Sequence, residues 1–549
     1  MLVAWINGFV NGLHCVLTGK VLPEAHRRDG ELLLCLFCIT CLAFGFEITN
    51  PTLGLDDYTH FGMNFEWNSF WISRGMWGGL LLQYLLPGGW ITPFIELIIG
   101  IFIQCLSAIV AGWLLHLHKL TDGQRFVSYA LFTTFPYFAA QMAFSYLQIG
   151  YSLATFLCIA ALLMSKTNSV WRSMLASILM AFAISIYQGC ISVLVTGAVL
   201  YFAFSLVYSQ SASGGEHTVK KSVAVFSRMT VTVIVGAALY YMAHKSILAY
   251  TGLPAGEGYY AVTFDIAFWK RWASIVYDVC YLLSGADGLV PHIAQLLFFV
   301  VVGCVAIQLV FVRKNAKFFL DFPVVMVLLA ILLVSPFFVL FLHEGGLAPR
   351  SSIGVGLLWL AAWAMAQKIS RGLSARILSA AAFLVVCIFL FQNNRMFYSE
   401  YLVEQADAIN VTRMEERIAM LDAQNGEQDI QGAVVLGTYS HPVSPPMVRY
   451  CGSVLGYSMF ELDSENPQNA LIVLTKAHGL DHHYWYGPSK PELQFDTKAV
   501  VANRKPWPHA DAVFLQDGWA VLWLGERRTD CGEGSFQDWL ASWFPAASS

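Results

Sequence analysis

Charge is what this chain has least of. Asp, Glu, Lys and Arg make up 12% of its 549 residues, while 57% are hydrophobic and 14% aromatic. A soluble domain carries about 25% charged residues, so half that figure over this length excludes a soluble globule and calls for many membrane spans. A strong net charge is also lacking. The value of -4, with no basic tract and no nucleic-acid motif, speaks against nucleic acid or any other polyanionic partner. The first twenty residues, "MLVAWINGFVNGLHCVLTGK", lack the basic n-region of a cleavable signal. They are expected to lie on the membrane surface as an amphipathic segment. Cysteine is scarce where it could cross-link. Most of the 12 sit in apolar runs, including Cys35, Cys38 and Cys41, and only Cys451 and Cys531 follow residue 394. A cysteine inside a span behaves as a small apolar residue.

The charge that is present is uneven. Residues 1–394 hold 16 acidic and 21 basic side chains, and residues 395–549 hold 20 and 11. The density roughly doubles near Asn394. This sets a polytopic α-helical membrane domain over 1–394 and a mildly acidic, mixed α/β domain over 395–549.

A span needs about 20 apolar residues. Apolar runs place eleven spans near 31–48, 92–116, 126–144, 147–165, 172–188, 190–208, 223–243, 291–312, 322–342, 351–367 and 377–393. The run 172–208 is too long for one crossing, and "YQG" at 187–189 supplies the turn that divides it. Basic residues precede span one (Lys20, Arg27, Arg28) and follow every even-numbered span, among them Lys119, Lys166, Arg172, Lys220, Arg313 and Lys368. By the positive-inside rule the N-terminus is cytoplasmic and the C-terminal domain lies outside. Residues 70–89, short and interrupted by glycine, are expected along the outer interface.

The outward loops then gather the chemistry. The first supplies Asp56, Asp57, His60, Glu66 and Arg74, and Glu96 lies just inside span two. Later turns supply Tyr146 and Gln148, Tyr187 and Gln188, and the "HEGGLAPR" residues His343, Glu344 and Arg350. The loop 244–290 adds Lys245, Lys270, Arg271, Asp278 and Asp287. Ordinary readings exist for each: solvated loop charges, interfacial aromatics, a headgroup anchor at Arg350, a helix cap at Asp56–Asp57. Two adjacent acids exceed what a cap requires, and Glu96 should face a cavity rather than lipid. Together they suggest group transfer at the outer surface. A carboxylate takes the proton of an acceptor hydroxyl, and a guanidinium holds a leaving phosphate through paired hydrogen bonds. Nucleotide sugars are not available there, so the donor is expected to be a lipid phosphate.

The motifs "NPTLGLDDYTHFG", "SRGMWGG", "SIYQGCISVLVTG", "YDVCYLLSG", "LAPRSSIG" and "PHADAVFLQDGWAVLWLGE" occur in this order. With that topology the chain resembles the GT-C membrane glycosyltransferases, and more closely the bacterial GtrII-type glucosyltransferases that modify O-antigen. The resemblance implies a GT-C-like transmembrane glycosyltransferase domain in the inner membrane and a periplasmic C-terminal domain. It implies a polyprenyl-phosphate-linked hexose donor, such as a glucose on undecaprenyl phosphate. The acceptor is a saccharide on a lipid carrier or on lipopolysaccharide. The catalytic role passes to Asp56 and Asp57, and the donor phosphate to Arg350, with Arg74 as a second cation there. His60, Glu66, Glu96, Tyr187, Gln188 and Glu344 are expected to line the substrate. No cofactor is required, because arginine can stabilise a phosphate leaving group; a divalent metal stays an open option.

In the C-terminal domain, residues 400–421 read as a helix leaving the last span, "GAVVLG" as a strand, and "AVFLQDGWAVLWLG" as a hairpin with Asp517-Gly518 at a type I′ turn. The histidines His478, His482 and His483 lack matching ligand spacing and read as a loop. If the domain lies in an oxidising compartment, Cys451 and Cys531 are expected to form a disulfide. Two other functions stay open: a flippase or transporter of lipid-linked saccharides, and an O-antigen ligase or polymerase. A transporter should carry mid-membrane charges and internal repeats. The polar residues instead gather at one face.

Overall fold

Helices dominate the computed structural model. It describes residues 2–20, 28–54, 57, 65–86, 91–210, 215–254, 276, 279–285, 288–311, 327–342, 349–425, 430, 432–441, 448, 450, 455–462, 467–477 and 497–526. The chain divides into two units. One comprises Met1–Thr49 with Asn64–Arg395, the other Asn50–Met63 with Met396–Ser549. The first loop therefore groups with the C-terminal residues rather than with the helices on either side of it.

Among the described residues, five helices are long and apolar enough to cross a membrane: Pro93–Leu114, Ser145–Ser165, Gln188–Leu206, Lys220–Thr251 and Leu373–Gln424. Five shorter apolar helices, Val3–Thr18, Val170–Ile186, His292–Gln308, Val327–Phe338 and Gly354–Ile369, accompany them. This content fits a membrane protein. The expected span 126–144 is not one helix. It breaks into Asp122–Thr133 and Pro136–Met142, because Pro136 has no N–H to continue the ladder and serves as the first residue of the second helix. The run 172–208 does divide where the YQG turn predicts, into Val170–Ile186 and Ile191–Gln210 around a short 3₁₀ turn.

One end of the first unit is tied by a buried ion cluster. Arg125, 1% exposed, pairs with Asp29 and Asp122, while the Trp113 indole N–H donates to Asp29 at 2.7 Å. Three helices (29–43, 93–114 and 122–133) are thereby joined through the Asp29 carboxylate and the Arg125 guanidinium. Burying a cation is tolerated only when it is paired and hydrogen-bonded in this way.

The second unit is built on the far part of the helix Leu373–Asn425, whose 53 residues extend about 80 Å. Val411, Met414 and Ile418 recur at helical spacing and pack on Ala433 and Val435 of strand β1 (Gly432–Gly437), with Leu471 and Leu474 of the helix Pro467–Ala477. Leu53 packs against the same core. The sheet runs β1-β3-β2, with β2 as Val513–Gln516 and β3 as Trp519–Gly525; β1 is parallel to β3, and β2 antiparallel. Both hairpin residues have positive φ, 49° at Asp517 and 81° at Gly518, as a type I′ turn demands.

A polar cluster joins this unit's helix to its loops. Asp407 pairs with His441 at 2.7 Å and accepts from the Ser458 hydroxyl at 2.7 Å and the Met459 N–H at 2.9 Å. Glu400, two turns beyond the predicted last span, accepts from the Gly456 N–H. Burial pushes its carboxyl up to about 8, and the charges of Glu404 and Asp407 push the same way, against the Gly456 bond. A raised carboxyl value means the folded state holds the proton longer. Stability from this group is full below about pH 4.5 and is lost as pH rises towards 8. Glu400→Gln keeps an acceptor for Gly456 and removes the titration. It should stabilise the full chain in detergent near pH 8 by about 1–3 kcal/mol, read as a higher melting temperature, and change it little near pH 4.5. A lower melting temperature at both pH values would refute this.

Candidate active site

The end of the helical unit opposite the Arg125 cluster holds Arg74, Glu96, Tyr187, Gln188 and Arg350 of the sequence-predicted residues. The first of them depend on "SRGMWGG". Gly75, at φ +79°, lies so close to Tyr240 that a Cβ would stand 2.1 Å from its hydroxyl. At Gly78 a Cβ would meet the Ser185 hydroxyl at 2.2 Å. Gly78, with Gly79 beside it, lets the short helix Trp77–Leu85 lie directly on the end of Val170–Ile186. Arg74 is thereby brought beside the YQG turn. The Gln188 amide donates to the Arg74 carbonyl at 2.8 Å and to the Tyr240 hydroxyl at 2.7 Å, and the Arg74 guanidinium covers the Phe70 ring at 3.8 Å.

Tyr187, the neighbour of Gln188, points to the other arginine. Its hydroxyl is 3.0 Å from Ser351 Oγ, its ring meets Tyr151 edge-on at 4.7 Å, and the Arg350 charge acts on its phenol. Arg350 sits in a short 3₁₀ turn, Pro349–Ser351. Its carbonyl accepts from the Gln141 amide at 2.9 Å, and its guanidinium lies over Phe144 at 4.6 Å. The turn is anchored from behind, where the Gly354 N–H donates to Ser192 Oγ at 3.2 Å. The motifs "GCIS" and "PRSSIG", some 160 residues apart in sequence, thus form one joint.

Glu96 is 2% exposed and borders a small open cleft. Gly79, Gln83, Tyr146, Leu147 and Gly150 contribute to its walls. One carboxylate oxygen, Oε1, accepts from the Thr92 N–H at 2.9 Å and the Thr92 hydroxyl at 3.0 Å. This closes the first turn of the helix Pro93–Leu114 and fixes the carboxylate at the cleft wall. The Trp71 ring packs on Tyr146 at 5.4 Å, linking the cleft to the helix Phe65–Ser73 that leads to Arg74. Arg74, Arg350, Glu96, Tyr146, Tyr187, Gln141 and Gln188 therefore lie at this end, drawn from five segments.

Asp57 belongs to the other unit. It is fully buried, and its own loop holds it: the Gly54 N–H donates to Asp57 Oδ2 at 2.7 Å, and the Asp57 N–H donates to the Gly54 carbonyl at 3.0 Å. The glycine of "TLGLDD" lets the backbone fold back on the carboxylate. Asp56, His60, Glu344, Cys451, Cys531 and the histidines 478, 482 and 483 lie outside the described residues, as does the side chain of Glu66.

Sequence reading missed three residues of this end: Gln141, Phe144 and Tyr240. Gln141 and Phe144 sit in what reads as an unbroken span, and Tyr240 deep in another. Pro136 and a lone Gln in an apolar run were the available signs.

Among the described residues, no group of three or more His, Cys, Asp or Glu is arranged to hold a metal ion. No curated protein and no solved structure matches the chain. The family model described as Glucosyl transferase GtrII matches residues 45–361, more than half of the sequence, from just after the helix 29–43 through the Arg350 turn. The chain belongs to the GtrII glucosyltransferase family.

Proposed function

We propose that this glycosyltransferase moves a hexose, glucose by its family, from a polyprenyl phosphate to a saccharide acceptor such as O-antigen. In this reading the reaction takes place at the periplasmic face of the inner membrane. The acceptor hydroxyl gives its proton to Asp56 or Asp57, and the other carboxylate orients that hydroxyl. The acceptor oxygen forms a bond to the sugar's anomeric carbon as the bond from that carbon to the phosphate oxygen breaks. The lipid phosphate leaves as a monoester, and Arg350 and Arg74 take up its growing negative charge. Glu96, Tyr187 and Gln188 line the sugar, joined by His60, Glu66 and Glu344 from the loops. No metal is needed in this scheme, because two guanidinium groups supply the positive charge.

The observation that carries the reading is that Arg74 with Gln188, Arg350 with Tyr187, and Glu96 at its cleft all lie at one end of the helical unit. The opposite end holds the basic residues expected on the cytoplasmic side. That polarity supports a cytoplasmic N-terminus, and this reading keeps eleven spans. The test is the mass of the acceptor glycan in cells with and without the protein. One added hexose per repeat is expected. Unchanged mass together with altered display of the unmodified glycan would favour a transporter and overturn the proposal.

A further inference from the structure

The opposite end of the helical unit holds four basic side chains that the transfer reaction does not use. Lys20 follows the first helix, Lys166 ends the helix Gln148–Ser165, Arg172 begins Val170–Ile186, and Arg228 lies in Gly215–Thr251. They are brought together closely. The Lys166 ammonium is 3.3 Å from the Leu114 carbonyl, 3.2 Å from His116 Nε2 and 5.1 Å from the centre of the Tyr201 ring. Lys20 acts on it electrostatically. The Arg172 guanidinium is packed on the backbone at Gly19, where a Cβ would stand 1.9 Å from it. Arg228 donates to the carbonyls of Lys166 and Thr167 at 3.1 and 2.6 Å.

Among the described residues, none of these four cations has a carboxylate partner. The contrast with Arg125, paired with two aspartates nearby in the same unit, is direct. Lys166 is held by a carbonyl, an imidazole and a ring face, and burial and Lys20 push it down to about 7. Gathering like charges in this way is unfavourable unless an anion joins them. Dispersed loop charges would satisfy the positive-inside rule without it. A hydrophobic track starts beside the cluster: Trp171, Met174, Leu175 and Ile178 are all exposed at helical spacing along Val170–Ile186.

We propose that Lys20, Lys166 and Arg172, backed by Arg228, bind the phosphate of an anionic phospholipid, whose acyl chain lies along the Trp171–Ile178 track. The site is separate from the transfer chemistry and does not depend on it.

The test is native mass spectrometry of the full chain in a neutral detergent, titrated with phosphatidylglycerol or phosphatidylcholine. The expected result is one retained phosphatidylglycerol, preferred over phosphatidylcholine by at least about tenfold. Each cation near an anionic headgroup is worth roughly fivefold in binding, so Lys166→Gln with Arg172→Gln should weaken it by roughly thirtyfold. The glutamine at 166 can still donate to the Leu114 carbonyl. Lys245→Gln, near the other end of Gly215–Thr251, should leave binding unchanged. If the double variant does not fold, Arg172→Gln alone should lose roughly fivefold. Equal retention of both lipids, or unaltered retention in the folded variants, would overturn the proposal. Complete displacement of the lipid by inorganic phosphate would also overturn it, since that marks a site for the free anion.

Discussion

Asp57→Asn should lower transfer by about 10²–10⁴-fold, the range typical of losing a general base. The structure makes this substitution informative. Gly54 donates to one carboxylate oxygen of Asp57 and accepts from its backbone N–H, so the side chain is a structural part of its loop. An asparagine keeps an oxygen for Gly54 and nearly the same volume, but loses the charge. Asp57→Ala removes the loop bond as well, so a difference between the two variants separates loop geometry from charge. Asp56→Asn completes the set. If Asp57 accepts the proton, its Asn variant should lose turnover with little change in the apparent affinity for donor. If it only orients the acceptor, the larger loss should fall on Asp56→Asn. Normal transfer by both Asn variants, at normal expression, would remove the acidic pair from the mechanism.

Much of this arrangement was legible in the sequence because it rests on local rules. Apolar runs of span length and the alternation of basic residues distinguish the two ends of the helical unit. "YQG" announces a turn, "DG" a type I′ hairpin, and "GAVVLG" a strand. What stayed hidden depends on contacts between distant residues. No spacing rule relates Gly78 to Ser185 or Gly354 to Ser192, yet these close approaches bring Arg74 and Arg350 to the two sides of Tyr187–Gln188. Gln141 was lost inside an apolar run because composition averages over it, although Pro136 marks the break that turns it towards Arg350. The grouping of residues 50–63 with the C-terminal unit was also unreadable. Charge density placed a boundary near Asn394, but it cannot show that a loop early in the chain packs Leu53 into a core built from residues beyond 410.

Replacing Arg350 by alanine should reduce transfer by about 10²–10³-fold, the scale of losing one group that stabilises a developing anion. The main loss is expected at the donor step. The backbone here is fixed without the guanidinium: Gln141 holds the Arg350 carbonyl, and Ser192 holds the Gly354 N–H. The variant should therefore fold, with a melting temperature close to that of the parent. Lysine is the more discriminating replacement. It keeps the positive charge and can still lie over Phe144, but it has no planar fork to grip two phosphate oxygens at once. Arg350→Lys should thus remain clearly impaired, whereas a headgroup anchor would be restored by any cation. Donor binding can be read directly with a short-chain polyprenyl phosphate. Full affinity in Arg350→Ala, or full activity in Arg350→Lys, would take Arg350 away from the phosphate and leave Arg74, held by Gln188 on the other side of Tyr187, as the cation to test next.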